Sequence, residues 1–280
     1  MDRWKLPQEL FDIIISKLAD RQWALHTCSL VCRSWVHSSH RHLFHRIVLS
    51  PPHRSFNGSG DVSYCRRLHR LLLSSPHIAT YIRELKVYEG QELKKQAWIG
   101  SDQTLPLVLG LLRDLTRIEL RRLEWNILPL DLRQSICQVL ELPSMTSFEM
   151  ERSDFASMVD FSSLLSHAEG LTYLSLAEVT TKHRFLKPLT SEDTNHGAVV
   201  KGEGDHRRRH LLDLRLDITG YLEFVNWLLG PQSPSKVSHI RTLHVSRYRQ
   251  SDAHAINELL YAIGSSLRHF KLNDPYLWCG

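Results

Sequence analysis

The stretch Leu115-Thr116-Arg117-Ile118-Glu119-Leu120 places an apolar residue, two variable residues, an apolar residue, one variable residue and a third apolar residue in a row. Its last two apolar positions are separated by one residue, the spacing at which side chains of an extended chain point to the same face. The pattern returns at Ile82, Leu85 and Val87, at Met145, Phe148 and Met150, and at Leu171, Leu174 and Leu176. It returns again at Leu211, Leu214 and Leu216, at Ile240, Leu243 and Val245, and at Leu267, Phe270 and Leu272. The starts of these seven copies lie 33, 30, 26, 40, 29 and 27 residues apart, so the period is irregular but centred near 30.

Helical periodicity fills most of the intervals, over Tyr64 to Leu73, Thr104 to Leu112, Leu132 to Leu140, Met158 to Leu165, Leu222 to Leu229 and Ile256 to Ile263. Strands that alternate with helices in short units predict parallel strands joined by crossovers, and a recurring period predicts a solenoid in place of a doubly wound sheet. Residues flanking the two inward apolar positions then point outward. From this set we take Lys86, Tyr88, Arg117, Arg121, Glu149, Glu151, Tyr173, Arg215 and His244 as candidate contacts for a target protein. This face turns from basic at Arg117 and Arg121 to acidic at Glu149 and Glu151, which suits a protein surface better than a phosphate backbone of uniform charge.

The first 47 residues differ in kind. Pro7 suits a first helical position, where its missing N–H costs nothing, and Leu10, Ile13, Ile14 and Leu18 follow at helical spacing. A second helix is predicted from near Arg21, with Ala24, Cys28, Val31 and Trp35 on one stripe, and a third, shorter turn ends in Leu43-Phe44. So small a segment buries too little apolar surface to stand alone, so its stripes must pack on the rest of the chain or on a partner. Ser50-Pro51-Pro52 and the Gly-rich Ser55 to Gly60 then predict a boundary, giving domains 1–54 and 55–280.

The run Leu6-Pro7-x-Glu9-Leu10-x-x-Ile13-Ile14-x-x-x-Leu18, followed by Cys28-Ser29-Leu30-Val31-Cys32-Arg33-Ser34-Trp35 and Leu43-Phe44-x-x-Ile47, resembles an F-box. Phe44 stands where that family often has Trp, and an aromatic is kept. The resemblance implies docking to a Skp-type adaptor, and through it to a cullin, in a ubiquitin ligase. Leu6, Pro7, Leu10, Ile13, Leu18, Leu30, Val31 and Trp35 would be the adaptor contacts or their immediate support. The following region resembles an irregular leucine-rich-repeat array, and Ser74 to Leu85 is similar to the junction in fungal members of the F-box family. It departs from the repeat consensus three positions after the last apolar residue, where Asn or Cys is usual. Leu123, Ser153, Val179, Thr219 and Tyr248 stand there instead, so an Asn ladder is absent and a degenerate, short arc is expected. The expected fold class is α+β overall, a short all-α F-box followed by an irregular α/β solenoid with parallel strands.

The chain has 280 residues and 42% hydrophobic residues, enough for a continuous core, but no run near the ~20 apolar residues that span a bilayer. Its start, Met1-Asp2-Arg3-Trp4-Lys5, lacks the apolar stretch of a secretory signal, so a place in the cytoplasm, the nucleus or both is expected, away from membranes. Five scattered cysteines fit free thiols. Residues 1–75 hold 11 Lys and Arg against 5 Asp and Glu, and the other 205 hold 24 against 25, so the net charge of +5 belongs to the N-terminal end. Such an excess steers an acidic partner, and the resemblance to the F-box family favours this over nucleic acid.

A Gly-rich phosphate loop, a Gly-x-Ser-x-Gly elbow, a His-Glu-x-x-His helix and a Cys-x-x-Cys pair are all missing, so neither an enzyme nor a cofactor is expected. Cys28, Cys32, His37 and His40 do not predict a zinc finger. The gap from Cys32 to His37 holds four residues where about twelve are usual. Residues of about 180–210, ending in Arg207-Arg208-Arg209, are expected to form a mobile loop, and the apolar Tyr276 to Gly280 either caps the last copy or marks a truncated chain. The leading expectation is a non-catalytic substrate receptor that works by proximity, raising the local concentration of a target at a partner enzyme. The alternative is a leucine-rich-repeat interaction scaffold with no ubiquitin ligase role.

Overall fold

Each copy of the apolar pattern lies on a strand in the computed structural model, which describes residues 7–51, 63–89, 98–181 and 210–273. The chain divides into two units, Met1–Ser153 and Asp154–Gly280. Helices and strands are mixed throughout, and among the described residues the strands paired within each unit run parallel.

The first unit opens with α1 (Gln8–Ser16), α2 (Gln22–Val31) and α3 (Arg33–Leu43). Cys32 breaks the stripe expected to run from Ala24 to Trp35. It is extended at φ −161° and ψ 162°, so α2 ends before it and Trp35 belongs to α3. Strand β1 (Arg46–Leu49) follows, then α4 (Tyr64–Ser74), β2 (Glu84–Tyr88), α5 (Trp98–Ser101), α6 (Leu105–Leu111), β3 (Arg117–Arg121), α7 (Leu130–Leu140) and β4 (Ser147–Glu151). Strands β1, β2, β3 and β4 are neighbours in chain order, with Leu85 opposite Ile118 and Ile118 opposite Phe148. Neither β1 nor α5 was foreseen, since β1 is only four residues long and α5 is a single turn.

The second unit begins with β5 (Asp154–Phe155), α8 (Met158–Ser166) and β6 (Tyr173–Thr181), and continues with β7 (Asp213–Ile218), α9 (Tyr221–Leu229), β8 (Thr242–Ser246), α10 (Ala253–Ile263) and β9 (His269–Asn273). Strands β6 to β9 pair in that order, and β5 pairs with β6. The expected mobile loop lies outside the described residues except at its ends, where Thr180 and Thr181 belong to β6. The expected domain boundary at residues 54 and 55, and the C-terminal cap, also lie outside them.

Both units are built by one repeated set of bonds. At the entries to β2, β3, β4, β7, β8 and β9, a carbonyl at the start of the preceding strand accepts two consecutive N–H groups. The His45 carbonyl takes Arg83 and Glu84, Arg83 takes Thr116 and Arg117, and Thr116 takes Thr146 and Ser147, all at 2.8–3.1 Å. In the second unit Thr172, Leu212 and Arg241 do the same for Leu212 and Asp213, Arg241 and Thr242, and Arg268 and His269. At the exits of β3, β4 and β8, and at the bulge in β6, Arg122, Arg152, Arg247 and Glu178 take positive φ of 59°, 51°, 53° and 55°. A left-handed residue there turns the chain off the strand, at a cost of roughly 1–2 kcal/mol for a residue other than Gly.

Three positions after the last apolar residue of a copy, hydroxyls take up backbone groups in two cases. Ser153, buried, accepts the Leu123 N–H at 3.2 Å and donates to the Glu151 carbonyl at 3.1 Å. Thr219 Oγ1 accepts the Thr181 N–H at 2.9 Å. Hydroxyls thus satisfy backbone groups at two of the five positions, while Leu123 and Val179 are buried as apolar packing.

In the first unit the inward strand residues Leu85, Val87, Ile118, Leu120, Phe148 and Met150 are buried, as are Leu68, Leu72, Val108, Leu109, Ile136 and Val139 of the helices. In the second, Phe155, Phe161 and Phe224 form a chain of ring contacts at 4.8 and 5.9 Å. Each such side chain contributes about 1.5–3 kcal/mol. Tyr221 is buried too, and its hydroxyl lies 3.0 Å from the Leu216 carbonyl and 2.7 Å from that of Ser246, pinning α9 to two successive strands.

Candidate functional site

In the three-helix segment the burial is thin. Ile15 and Leu25 are fully buried, and the Phe11 and Trp35 rings meet at 5.6 Å. Gln8 Nε2 ties the start of α1 to α3 by donating to the Ser34 carbonyl at 2.9 Å, and also reaches Asp12 at 3.0 Å. Ser38 donates to Asp12, and this bond, with that from Gln8, holds the Asp12 carboxyl below its ordinary range.

Opposite these contacts, Leu10, Ile13 and Ile14 of α1 and Trp23, Leu30 and Val31 of α2 are exposed, Trp23 by 73%, Leu30 by 74% and Val31 by 59%. Scattered exposed apolar residues are ordinary, but here six fall within 22 residues, three on α1 and three on α2, at spacings that put each three on one side of its own helix. Of the predicted adaptor contacts, Pro7, Leu10, Ile13, Leu30 and Val31 are exposed, Leu18 and Trp35 are half-buried, and Leu6 lies outside the described residues. Ile14 and Trp23 share this exposure without being among the predicted contacts. Three consecutive isoleucines on a helix, each turned by about 100°, cannot all face one core, and Trp23 lies seven residues, two turns, from Leu30 on the same helix. Both signals were readable.

The outward face of the first unit is an ion-pair lattice. Lys86 Nζ lies 3.1 Å from Glu119, Arg117 lies 2.5 Å from Glu149, and Arg121 bonds Glu119 and lies 3.0 Å from Glu151. Arg46 adds contacts to Glu84 at 3.8 Å and Glu119 at 3.9 Å. Glu119 is 5% exposed, a charge taken into the sheet face with its partners around it. Burial pushes its carboxyl up, but the Lys86 and Arg121 contacts outweigh this and hold it below the ordinary range. The alternation of sign expected from Arg117 and Arg121 to Glu149 and Glu151 is therefore a set of cross-strand partners. Tyr88 is half-buried at the end of the same face.

In the second unit the face is looser. The Arg215 guanidinium lies over the Tyr173 ring at 5.2 Å and 3.4 Å from Asp213. His244 stands in register between Arg215 and Lys271. Burial, followed by the Arg215 charge, holds its imidazole below the usual range. Arg247 closes this face against Asp217 at 2.7 Å.

Among the described residues, no group of three or more His, Cys, Asp or Glu is arranged to hold a metal ion. No helix among them is long and apolar enough to cross a membrane. Cys28, Cys32, Cys65 and Cys137 are free thiols. Comparison of the chain with protein-family models, with curated proteins and with solved structures gave no match.

Proposed function

We propose that the chain is a non-catalytic substrate-receptor subunit of a Skp-cullin-F-box ubiquitin ligase, acting in the cytoplasm or nucleus. Its N-terminal helices dock a Skp-type adaptor, and a leucine-rich-repeat-like solenoid holds a target protein. The observation that carries this reading is the exposure of Leu10, Ile13 and Ile14 on α1 and of Trp23, Leu30 and Val31 on α2, in the segment whose sequence resembles an F-box. An apolar face of this size needs a partner, and the N-terminal excess of positive charge suits an acidic one. The solenoid part rests on the same strand-entry and strand-exit geometry recurring in successive copies.

The test is co-purification of the full chain with a Skp-type adaptor, beside the Leu30→Glu and Val31→Glu double variant. Both side chains are already mostly in water, so the variant is predicted to keep its far-ultraviolet dichroism and its stability within about 0.5 kcal/mol per site. Burial of each against a partner is worth about 1.5–3 kcal/mol, so the pair should weaken binding by about a hundredfold or more. Failure of the intact, folded chain to bind, or equal binding by the variant, refutes the adaptor role and leaves an interaction scaffold.

A further inference from the structure

At the strand-entry end of the second unit, three consecutive copies of the repeat open a pocket of about 330 Å³ lined by His210, Leu212, His239, Arg241, Ser265, Ser266 and Arg268. Its composition follows from the repeat. His210, His239 and Ser266 each precede the first apolar residue of a copy, and Leu212, Arg241 and Arg268 each follow it. The strand register therefore stacks Arg241 beside Arg268, one inter-strand spacing of about 4.8 Å apart. His210 and His239 stack likewise, with ring centroids 3.8 Å apart.

The first unit shows what a neutralised version of this corner looks like. Arg83 occupies the position equivalent to Arg241, and its guanidinium donates to the Asp114 carbonyl at 2.9 Å and lies 3.6 Å from the Asp114 carboxylate. The residue corresponding to Asp114 in the later copy is Ser266, whose hydroxyl is directed at the Ile240 and Ile263 carbonyls at 2.8 and 3.0 Å. Among the described residues no carboxylate lines the pocket, and neither Arg241 nor Arg268 forms an ion pair. Like charges stacked on neighbouring strands destabilise the sheet unless something lies between them. Two guanidinium forks, two imidazoles and the Ser265 hydroxyl thus line one pocket with no carboxylate among its described residues.

We propose that this pocket binds a phosphate monoester. Two arginines at neighbouring register positions supply several N–H donors that suit the oxygens of a tetrahedral dianion, and such charge-assisted bonds are about twice as strong as neutral ones. The volume exceeds that of a lone phosphoryl group, which leaves room for the organic group that carries it. A nucleic-acid strand fits poorly, because Asp213 and Asp217 stand on the adjoining β7 and a polyanion needs a continuous basic track. The site shares no residue with the adaptor-docking helices and does not depend on that reading.

The test titrates the full chain, at fixed ionic strength, with inorganic phosphate, a phosphoserine peptide and its unphosphorylated form, and a sugar phosphate, followed by phosphorus NMR and thermal shift. Arg241→Gln, Arg268→Gln and the double change serve as variants, with Arg113→Gln as a control in the other unit. All three arginines are exposed, and Arg241 and Arg268 stabilise the sheet through backbone bonds that glutamine keeps. Saturable phosphate binding that each single variant weakens about tenfold or more, and that the control leaves unchanged, is the expected result. Tighter binding of the phosphoserine peptide than of the sugar phosphate identifies a protein-borne group, and the reverse order a small metabolite. No saturation by any of the three phosphates, or equal affinity in the double variant, overturns the proposal.

Discussion

Removing the charge of Glu119 should expose how the first unit's outward face is held together. Its side chain is 7% exposed, against 18% for Lys86 and 37% for Arg121. Deleting one member of a fully buried pair costs about 3–5 kcal/mol, because the other charge is left without compensation. Here the cations left behind are partly solvated, and Arg121 keeps Glu151 at 3.0 Å. That discounts the expected cost of Glu119→Ala to roughly 2 kcal/mol, and of Glu119→Gln, which keeps the volume and one acceptor, to about 1 kcal/mol. The sign with pH follows from the lowered native pKa of Glu119. The native state holds its proton less tightly than the unfolded chain, so the stabilisation is fully present above about pH 4.5 and is lost as pH falls through the native value. Urea denaturation of the full chain at several pH values reads both effects from the midpoint at constant slope. Glu119→Gln should lose about 1 kcal/mol at pH 7 and converge on the parent once the pH falls below the native pKa of Glu119. A second variant, Lys86→Met with Glu119→Met, should recover much of the loss, since a well-packed apolar pair replaces a costly buried one. Equal stability of Glu119→Gln and the parent at pH 7 would show that the lattice contributes nothing, and would undo the reasoning.

Two further predictions concern single groups. Burial pushes the Glu89 carboxyl up to about 7, although the Trp98 and Ile99 N–H groups donate to it at 2.5 and 3.3 Å. Its native state therefore holds a proton that the unfolded chain releases, so this site's stabilisation is present below about pH 4.5 and is lost as pH rises through 7. Glu89→Gln should be at least as stable as the parent at pH 8 and gain nothing at pH 4.5; a parent-to-variant difference that stays constant across that range sinks the assignment. Among the thiols, the Ser34 hydroxyl, 3.0 Å away, holds exposed Cys32 below the usual range, while burial pushes Cys65 up to about 12 and Cys137 to about 11. Iodoacetamide at pH 8 should modify Cys32 at least about a hundredfold faster than Cys65, because only thiolate reacts; mass spectrometry showing equal rates rejects this.

How far the sequence could be read depended on the range of the interaction. Helices such as Tyr64–Ser74 and Met158–Ser166, and strands on all seven copies of the apolar pattern, were legible because side-chain period alone distinguishes a helix face from a strand face. The break at Cys32 was not, because the Ala24 to Trp35 stripe continues through it at helical spacing and only the backbone leaves the helix there. The left-handed exits at Arg122, Arg152 and Arg247 were equally hidden. Arginine has no preference for positive φ, and the conformation is imposed by the turn between packed elements.

By itself, then, the amino-acid order determined which residues face inward, the period of the strands and the apolar character of the first helices. Tertiary structure alone decided what each outward residue meets. Arg117 and Glu149, 32 positions apart, become a pair because their strands are neighbours, and Ser153 and Thr219 become backbone acceptors because the copies stack in register. Arg241 and Arg268, 27 positions apart, line one pocket, and among its described residues Ser266 stands where the earlier copy has Asp114. The reason is physical. Burial is a property of each residue's own period along the chain, whereas pairing is a property of two distant segments that only the hydrogen-bonded register brings together.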